Sequence, residues 1–353
     1  MKIYLSIIMM VLSLSAWAQD DLTSFENLRG RGKLEDGKRT GRWTFFRDNG
    51  QLAQRGEFAD GERSGRWMFF NEYGSLLAVG NYEEGELEGE LKVYYPNGQL
   101  KSVTYFDNGL RDSTYTEYHY NGKVSVEGQY RADVQIGIWK TYYENGQVYS
   151  AGKYLNDVKS GIWKYFNDAG ILIAEGSYKL GLEDGQWFKY HPEGQLQSIG
   201  NFVMGQEDGL WGLFYVNGQL IQEENWKMGR LMEIGPYFSI TADTLDAGSF
   251  SDGEGTRLTY YRTGELQSKG EYKYGKPNGE WIYYFMEGKV SGKGLMEDGQ
   301  QVGTWTYYYE NGNIESTGEY VNDEKSGVWK YYNRSGRLIE TVNHSEKKEN
   351  DET

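Results

Sequence analysis

The sequence predicts an all-β protein: an elongated, solenoid-like antiparallel meander of about thirteen β-hairpins, each filling 24 residues. Three observations predict it. A Gly-x-Trp triplet returns every 24 residues. A Gly-containing turn signal follows each triplet at a fixed distance. The residues between them are aromatic and β-branched, types that fit a pleated surface.

Along the chain, Lys2 precedes an apolar run at 3–14 that ends in Ala16-Trp17-Ala18. A positive start, an apolar stretch and a small-residue ending predict a cleaved secretory signal at 1–18, cut near Ala18-Gln19. The expected mature chain is soluble and exported, periplasmic or extracellular. Residues 19–40 form an N-terminal capping half-repeat, because Leu28, Gly32 and Leu34 match the second half of the unit.

An array of eight repeats follows at 41–232, opening at 41, 65, 89, 113, 137, 161, 185 and 209. With the opening residue as position 1, position 3 is Trp in nine of the twelve regular units. Position 6 is aromatic in every unit, from Phe46 to Tyr332, and position 10 is Gly in every unit, from Gly50 to Gly336. Position 12 is Leu, Val or Ile, position 16 is mostly Gly, and position 18 is mostly aromatic, as in Phe58 and Tyr154. After the signal, all ten Trp fall on position 3 or 18. That makes Trp a framework residue.

Each unit reads as a hairpin. Positions 2–7 are strand-like, as in Thr304-Trp305-Thr306-Tyr307-Tyr308-Tyr309. Asn-Gly at positions 9 and 10, as in Asn49-Gly50 and Asn311-Gly312, predicts a three-residue loop with Gly left-handed. Positions 11–18 form the return strand, and parity places 12, 16 and 18 on one face. Gly there leaves a gap for a neighbouring Trp or Tyr. Gly or Asp at position 21, as in Gly61 and Asp133, predicts a second left-handed turn. Trp at position 3 and the aromatic at position 6 have opposite parity. Either a bulge separates them or both faces are covered. One hairpin is marginal alone, so stability must come from neighbour contacts.

Residues 233–254 read as a degenerate repeat or kink, with Phe238, Gly248 and Phe250 on positions 6, 16 and 18. Four more repeats fill 255–345, opening at 255, 279, 303 and 327. A charged tail at 346–353 is expected to be disordered.

The unit Gly-x-Trp-x-x-Tyr-x-x-Asn-Gly-x-Leu-x-x-x-Gly-x-Tyr, seen in Gly41 to Phe58, Gly137 to Tyr154 and Gly303 to Tyr320, resembles the MORN-repeat variant of the bacterial YwqK-type antitoxin family. The resemblance covers nearly all of residues 28–344. It implies a MORN-type interaction or scaffold module. The antitoxin label implies binding and neutralising a partner toxin.

Composition excludes several chemistries. With 0 Cys there is no disulfide, thiolate metal site or thiol nucleophile. His119, His191 and His344 are scattered and read as incidental. A net charge of −15 opposes nucleic acid, and membrane association is not indicated. Carboxylates such as Asp60, Glu84 and Glu183-Asp184 recur with the turns and read as solvated charge. No metal, cofactor or catalytic site is expected. The candidate binding stripe lies at position 7: Tyr95, Tyr143, Tyr215, Tyr261, Phe285 and Tyr309. Such rings can stack on a sugar or a protein partner, or pair across strands. The expected function is an exported, non-enzymatic scaffold with a protein partner. The alternatives are a glycan- or cell-envelope-binding module and an antitoxin or immunity protein. Oligomeric state stays open.

Overall fold

The computed structural model describes residues 27–345, every regular element of which is a β-strand. The predicted signal, the start of the half-repeat and the charged tail at 346–353 lie outside the described residues. The chain divides into two units, one holding residues 27–159 with 168–170, the other 160–167 with 171–345. The division falls inside the predicted 41–232 array.

In the first unit, strands run from Arg29–Glu35 to Val148–Leu155, and each pairs antiparallel with the next in sequence. Within the hairpin, the N–H of Arg47 bonds the carbonyl of Gln51 at 2.9 Å, and Gly50 returns to Arg47 at 2.8 Å. Gly50 has φ 84°, as the three-residue loop requires. Between hairpins the turn is two residues long and both are left-handed, as at Asp60 (φ 51°) and Gly61 (φ 95°). This is the turn whose twist matches the flanking strands.

The core is a column of aromatics. All nine position-3 Trp are buried, with Trp67, Trp305 and Trp329 wholly so. Eight of these Trp cover the position-16 Gly of the preceding repeat, Trp67 over Gly56 and Trp329 over Gly318 among them. A Cβ at those glycines would lie closer than 3.0 Å to the indole carbons. The indole N–H donates to the position-17 carbonyl beside that Gly, as from Trp67 to Glu57 at 3.1 Å and Trp305 to Leu295 at 3.0 Å. Position-18 rings meet the indoles edge-on, as Phe58 meets Trp67 at 5.2 Å and 86°. Position 5 stacks on the same side, as Phe69 does on Trp67 at 6.2 Å. Cations from position 23 close the column: the Arg63 guanidinium sits 4.6 Å from the Trp67 ring centroid, and Lys325 Nζ sits 4.1 Å from that of Trp329.

The parity question resolves in favour of both possibilities. A register shift separates positions 5 and 6 in each regular hairpin, between Phe45 and Phe46 for example. The position-6 ring then takes the opposite face, where Tyr142 donates to Glu127 at 2.6 Å and Arg55 lies over Phe70. Position 12 pairs with position 6, as Leu52 does with Phe46. The parity count linking 12 to 16 and 18 therefore fails at the shift.

Departures from the Trp–Gly rule are of two kinds, and Leu91 keeps the glycine, Gly80, opposite it. Where position 3 is Tyr115, its partner is Thr104 in place of Gly. The smaller ring leaves room for a side chain. In the second unit, strands from Val158–Phe166 to Arg230–Ile234 pair in sequence, and Gly255–Tyr260 to Leu338–Asn343 form an eight-stranded sheet. Residues 233–254 lie between them; beyond Ile234 they form the short pair Tyr237–Phe238 and Thr244–Leu245, and Gly248 bridges Arg257 of the following sheet. Across that break, Arg257 stands at position 3 with Gly248 as its backbone partner, and it forms a buried ion pair with Glu224, at position 16 of the unit that opens at 209. Gln222 Oε1 accepts from the same guanidinium at 2.8 Å, and Trp226 Nε1 donates to Glu224 at 2.9 Å. A buried charge persists only when so paired.

Two expectations follow. Gly56→Ala forces a methyl into the Trp67 ring and should lower the urea midpoint, at a cost of about 1–3 kcal/mol. Ser113 is the one opening residue that is not Gly, yet its φ is 73°. Ser113→Gly should relieve strain of about 1 kcal/mol and raise the midpoint. Circular dichroism in urea reads both, and an unchanged midpoint in either variant contradicts its expectation.

Candidate functional site

Position 7 follows the first strand directly, at the mouth of the hairpin loop. The structure leaves Tyr95, Tyr143, Tyr261, Phe285 and Tyr309 half-buried and buries Tyr215. Four of the hydroxyls point along the array. Each donates to the position-6 carbonyl of the next repeat: Tyr95 to Tyr118 at 2.7 Å, Tyr215 to Phe238 at 3.1 Å, Tyr261 to Tyr284 at 2.7 Å and Tyr309 to Tyr332 at 2.8 Å. Tyr143 meets Tyr149 edge-on at 5.3 Å.

Other side chains at position 7 make the same bond. Arg47 reaches the Phe70 carbonyl at 2.7 Å. His119 and His191 place Nε2 at 2.8 and 2.9 Å from the carbonyls of Tyr142 and Phe214. Position 7 is thus a ladder of side chains that tie each loop to the next. Two histidines that look incidental in sequence belong to it. The signal for this was present: Tyr, His and Arg share a long reach and a terminal donor. The ladder also crosses the degenerate segment. Phe238 accepts from Tyr215, and Tyr237 donates to Tyr260 at 3.2 Å. Asn at position 9 adds a second rail at the loop tips, where Asn145 bonds the Asp168 carbonyl at 2.7 Å and Asn311 that of Arg334 at 2.6 Å.

Among the described residues, no three His, Asp or Glu side chains converge to hold a metal. An open recess of about 370 Å³ lies over Arg42, Thr44, Arg55, Glu57 and Met68. The Arg42–Glu57 ion pair beside it is solvent-exposed at 3.3 Å and contributes little. The arrangement offers a regular surface, not a cleft.

The family described as MORN repeat variant matches residues 39–60, 87–108, 111–132, 135–156, 159–180, 183–204, 253–274 and 301–322. Eight repeats of the chain match the MORN-variant unit. Each match runs from one link turn to the next, so the MORN-variant unit and the hairpin share a period. No curated protein matches the chain. Among solved structures, the crystal structure of TarM is 12% identical, covers 41% of this chain and 23% of its own, and has a TM-score of 0.23. The crystal structure of TcdB2-TccC3-Cdc42 is 13% identical, covers 89% of this chain and 20% of its own, with a TM-score of 0.17. This chain therefore spans less than a quarter of either, and superpositions this loose carry nothing further.

The MORN-variant array also dictates an alkaline response. Burial, then Tyr237 beside it, pushes the Tyr215 hydroxyl up to about 12. Burial is likewise the main cause that raises Tyr82, Tyr95, Tyr130, Tyr143, Tyr272 and Tyr283 above their ordinary value. The unfolded chain releases these protons near pH 10, and the folded chain holds them longer. Their contribution is complete below about pH 10 and is lost as pH rises above it. The melting temperature should hold up to about pH 9.5 and then fall steeply toward pH 12. A flat profile across that window contradicts this account.

Proposed function

We propose that the protein is an exported, non-enzymatic repeat scaffold that binds another protein. One observation carries the reading. The Trp, the Gly and most of the position-7 side chains are occupied in joining repeat to repeat. The side chains that vary from repeat to repeat lie outside them, in a regular array with a rise of about 10 Å for two strands. Such an array suits an extended partner better than a small substrate. Export is supported by Lys2, the apolar run at 3–14 and Ala16-Trp17-Ala18. The glycan- or envelope-binding alternative relies on open position-7 rings. The rings are half-buried or buried and four of their hydroxyls are engaged, which weakens its support. Neutralisation of a toxin is one form that protein binding could take here, and its support is the resemblance of the repeat unit.

Crosslinking mass spectrometry of the full chain in its own cells tests the scaffold. One protein should crosslink saturably in the exported fraction. Recovery of self-crosslinks alone, with no saturable partner, rejects the reading. A partner with toxic activity suppressed on binding would select the antitoxin form.

A further inference from the structure

Position 2 of the first strand and position 15 of the return strand share the sheet face opposite the indole column. The array fills them with varied residues, among them Glu90, Ile138 and Leu210 at position 2 and Val79, Glu127 and Ile199 at position 15. Arginine stands there four times, as Arg31, Arg42, Arg55 and Arg66, one on each of the four strands from Arg29–Glu35 to Glu62–Phe70 and on no later strand. The register brings the four together. Thr44 is the cross-strand partner of both Arg31 and Arg55, Arg42 pairs with Glu57, and Arg55 pairs with Met68. Arg42, Arg55 and Arg66 all line the open recess of about 370 Å³. Like charges crowded on one sheet face oppose folding, so folding does not explain them.

The face is positive with every carboxylate included. Residues 29–70 hold ten Lys and Arg against six Asp and Glu, a net +4 in a chain of net −15. On the face itself Arg31, Lys33, Lys38, Arg42, Arg55 and Arg66 stand against Glu35, Glu57 and Glu62, all of them exposed. Glu35 pairs with Lys33, and Glu57 pairs with Arg42 at 3.3 Å. Asp36, Asp48 and Asp60 lie in turns at the strand ends, where Asp48 pairs with Arg29 at 3.3 Å. Among the described residues, Arg31, Arg55 and Arg66 form no ion pair. The positive stretch ends on the fifth and sixth of these strands, where Glu88 and Glu90 appear and Lys92 pairs with Glu90 at 2.6 Å.

We propose that the face carrying Arg31, Arg42, Arg55 and Arg66 binds an acidic, extended segment of a partner protein. The proposal rests on the scaffold reading and gives it a surface and a partner chemistry. Diagonal neighbours on a sheet, such as Arg42 and Arg55, stand about 7–8 Å apart. Alternate side chains of an extended chain point to one side and repeat about every 7 Å. Carboxylates on every second residue therefore meet successive guanidiniums, whose planar fork holds a carboxylate by two hydrogen bonds. Eight of the chain's 15 arginines lie between 29 and 66. The other four serve the fold: Arg29 pairs with Asp48, Arg39 and Arg63 lie over Trp rings, and Arg47 belongs to the ladder. Glu57 sets the kind of anion. Its carboxylate repels an unbroken run of phosphates or sulfates, but it accepts a backbone N–H from a peptide. A flat anionic membrane also meets Glu88 and Glu90, whereas a peptide can end before them.

The test uses the full chain and a labelled peptide of roughly nine residues with Glu at every second position, followed by fluorescence anisotropy. The intact chain should bind it with a micromolar Kd that weakens as salt rises. It should bind a Lys-for-Glu version at least tenfold more weakly. The triple variant Arg42→Gln, Arg55→Gln, Arg66→Gln should lose at least tenfold in affinity. Its melting temperature should hold or rise, because like charges leave the face. Lys269→Gln with Lys293→Gln removes cations from position 15 of two later repeats and should leave the affinity unchanged. Failure of the intact chain to bind the acidic peptide overturns the proposal. So does full affinity in the triple variant, or an equal loss in the Lys269 and Lys293 variant. Tighter binding to heparin, or to vesicles of anionic phospholipid, than to the peptide overturns it too. In cells, a saturable partner whose crosslinks avoid Lys33 and Lys38 removes the arginine face and leaves the scaffold standing. Absence of any partner removes both.

Discussion

The whole array depends on one contact: an indole ring lying flat over a backbone that carries no side chain. Trp67 can approach Gly56 because no Cβ stands between them. The close approach brings the indole N–H to the neighbouring carbonyl at 3.1 Å. It also turns the ring edge-on to Phe58 and beneath Arg63. Dispersion, hydrogen bonding and cation–π attraction therefore act at the same place. Because the contact joins one repeat to the one before it, repetition is the means by which a hairpin too small to fold alone acquires a core.

The exceptions show how far this contact can vary. Tyr115 sits opposite Thr104, and Arg257 pairs with Glu224 across the degenerate segment. In the first the ring and the glycine change together, whereas Arg257 keeps Gly248 as its backbone partner and Leu91 keeps Gly80. A Trp opposite Thr104 would meet a side chain where the regular repeats have none. The ion pair shows a further solution, in which a charge pair with added hydrogen bonds takes over from packing where residues 233–254 interrupt the sheet.

The position-7 ladder shows that a column of aromatics can also serve the fold. A column of aromatics that varies between Tyr, His, Asn and Arg resembles a binding surface. In the structure the variation is tolerated because Tyr, His and Arg can each present a donor to the same carbonyl. The arginine face is the converse case. Nothing in the fold asks for Arg31, Arg42, Arg55 or Arg66, and other repeats place apolar or acidic residues at the same positions. Departure from what the fold requires, more than aromatic content, marks the surface that is free to do something else.

The 24-residue period, the hairpin within it, the loop Gly at position 10 and the framework role of Trp were all legible in the sequence, because each is a local rule repeated many times. The pairing of Gly32 with Trp43 was legible in outline, since the half-repeat at 28–34 keeps the spacing. What only the tertiary structure decided is where side chains go once strands are in register. The shift between positions 5 and 6 decides which face each ring takes. The distance from Tyr309 to the carbonyl of Tyr332 decides that a hydroxyl is engaged. The register that sets Thr44 between Arg31 and Arg55 decides that arginines distant in sequence share a face. Periodicity records which residues are equivalent. It does not record which neighbour a side chain meets, because that depends on a register set by hydrogen bonds between strands.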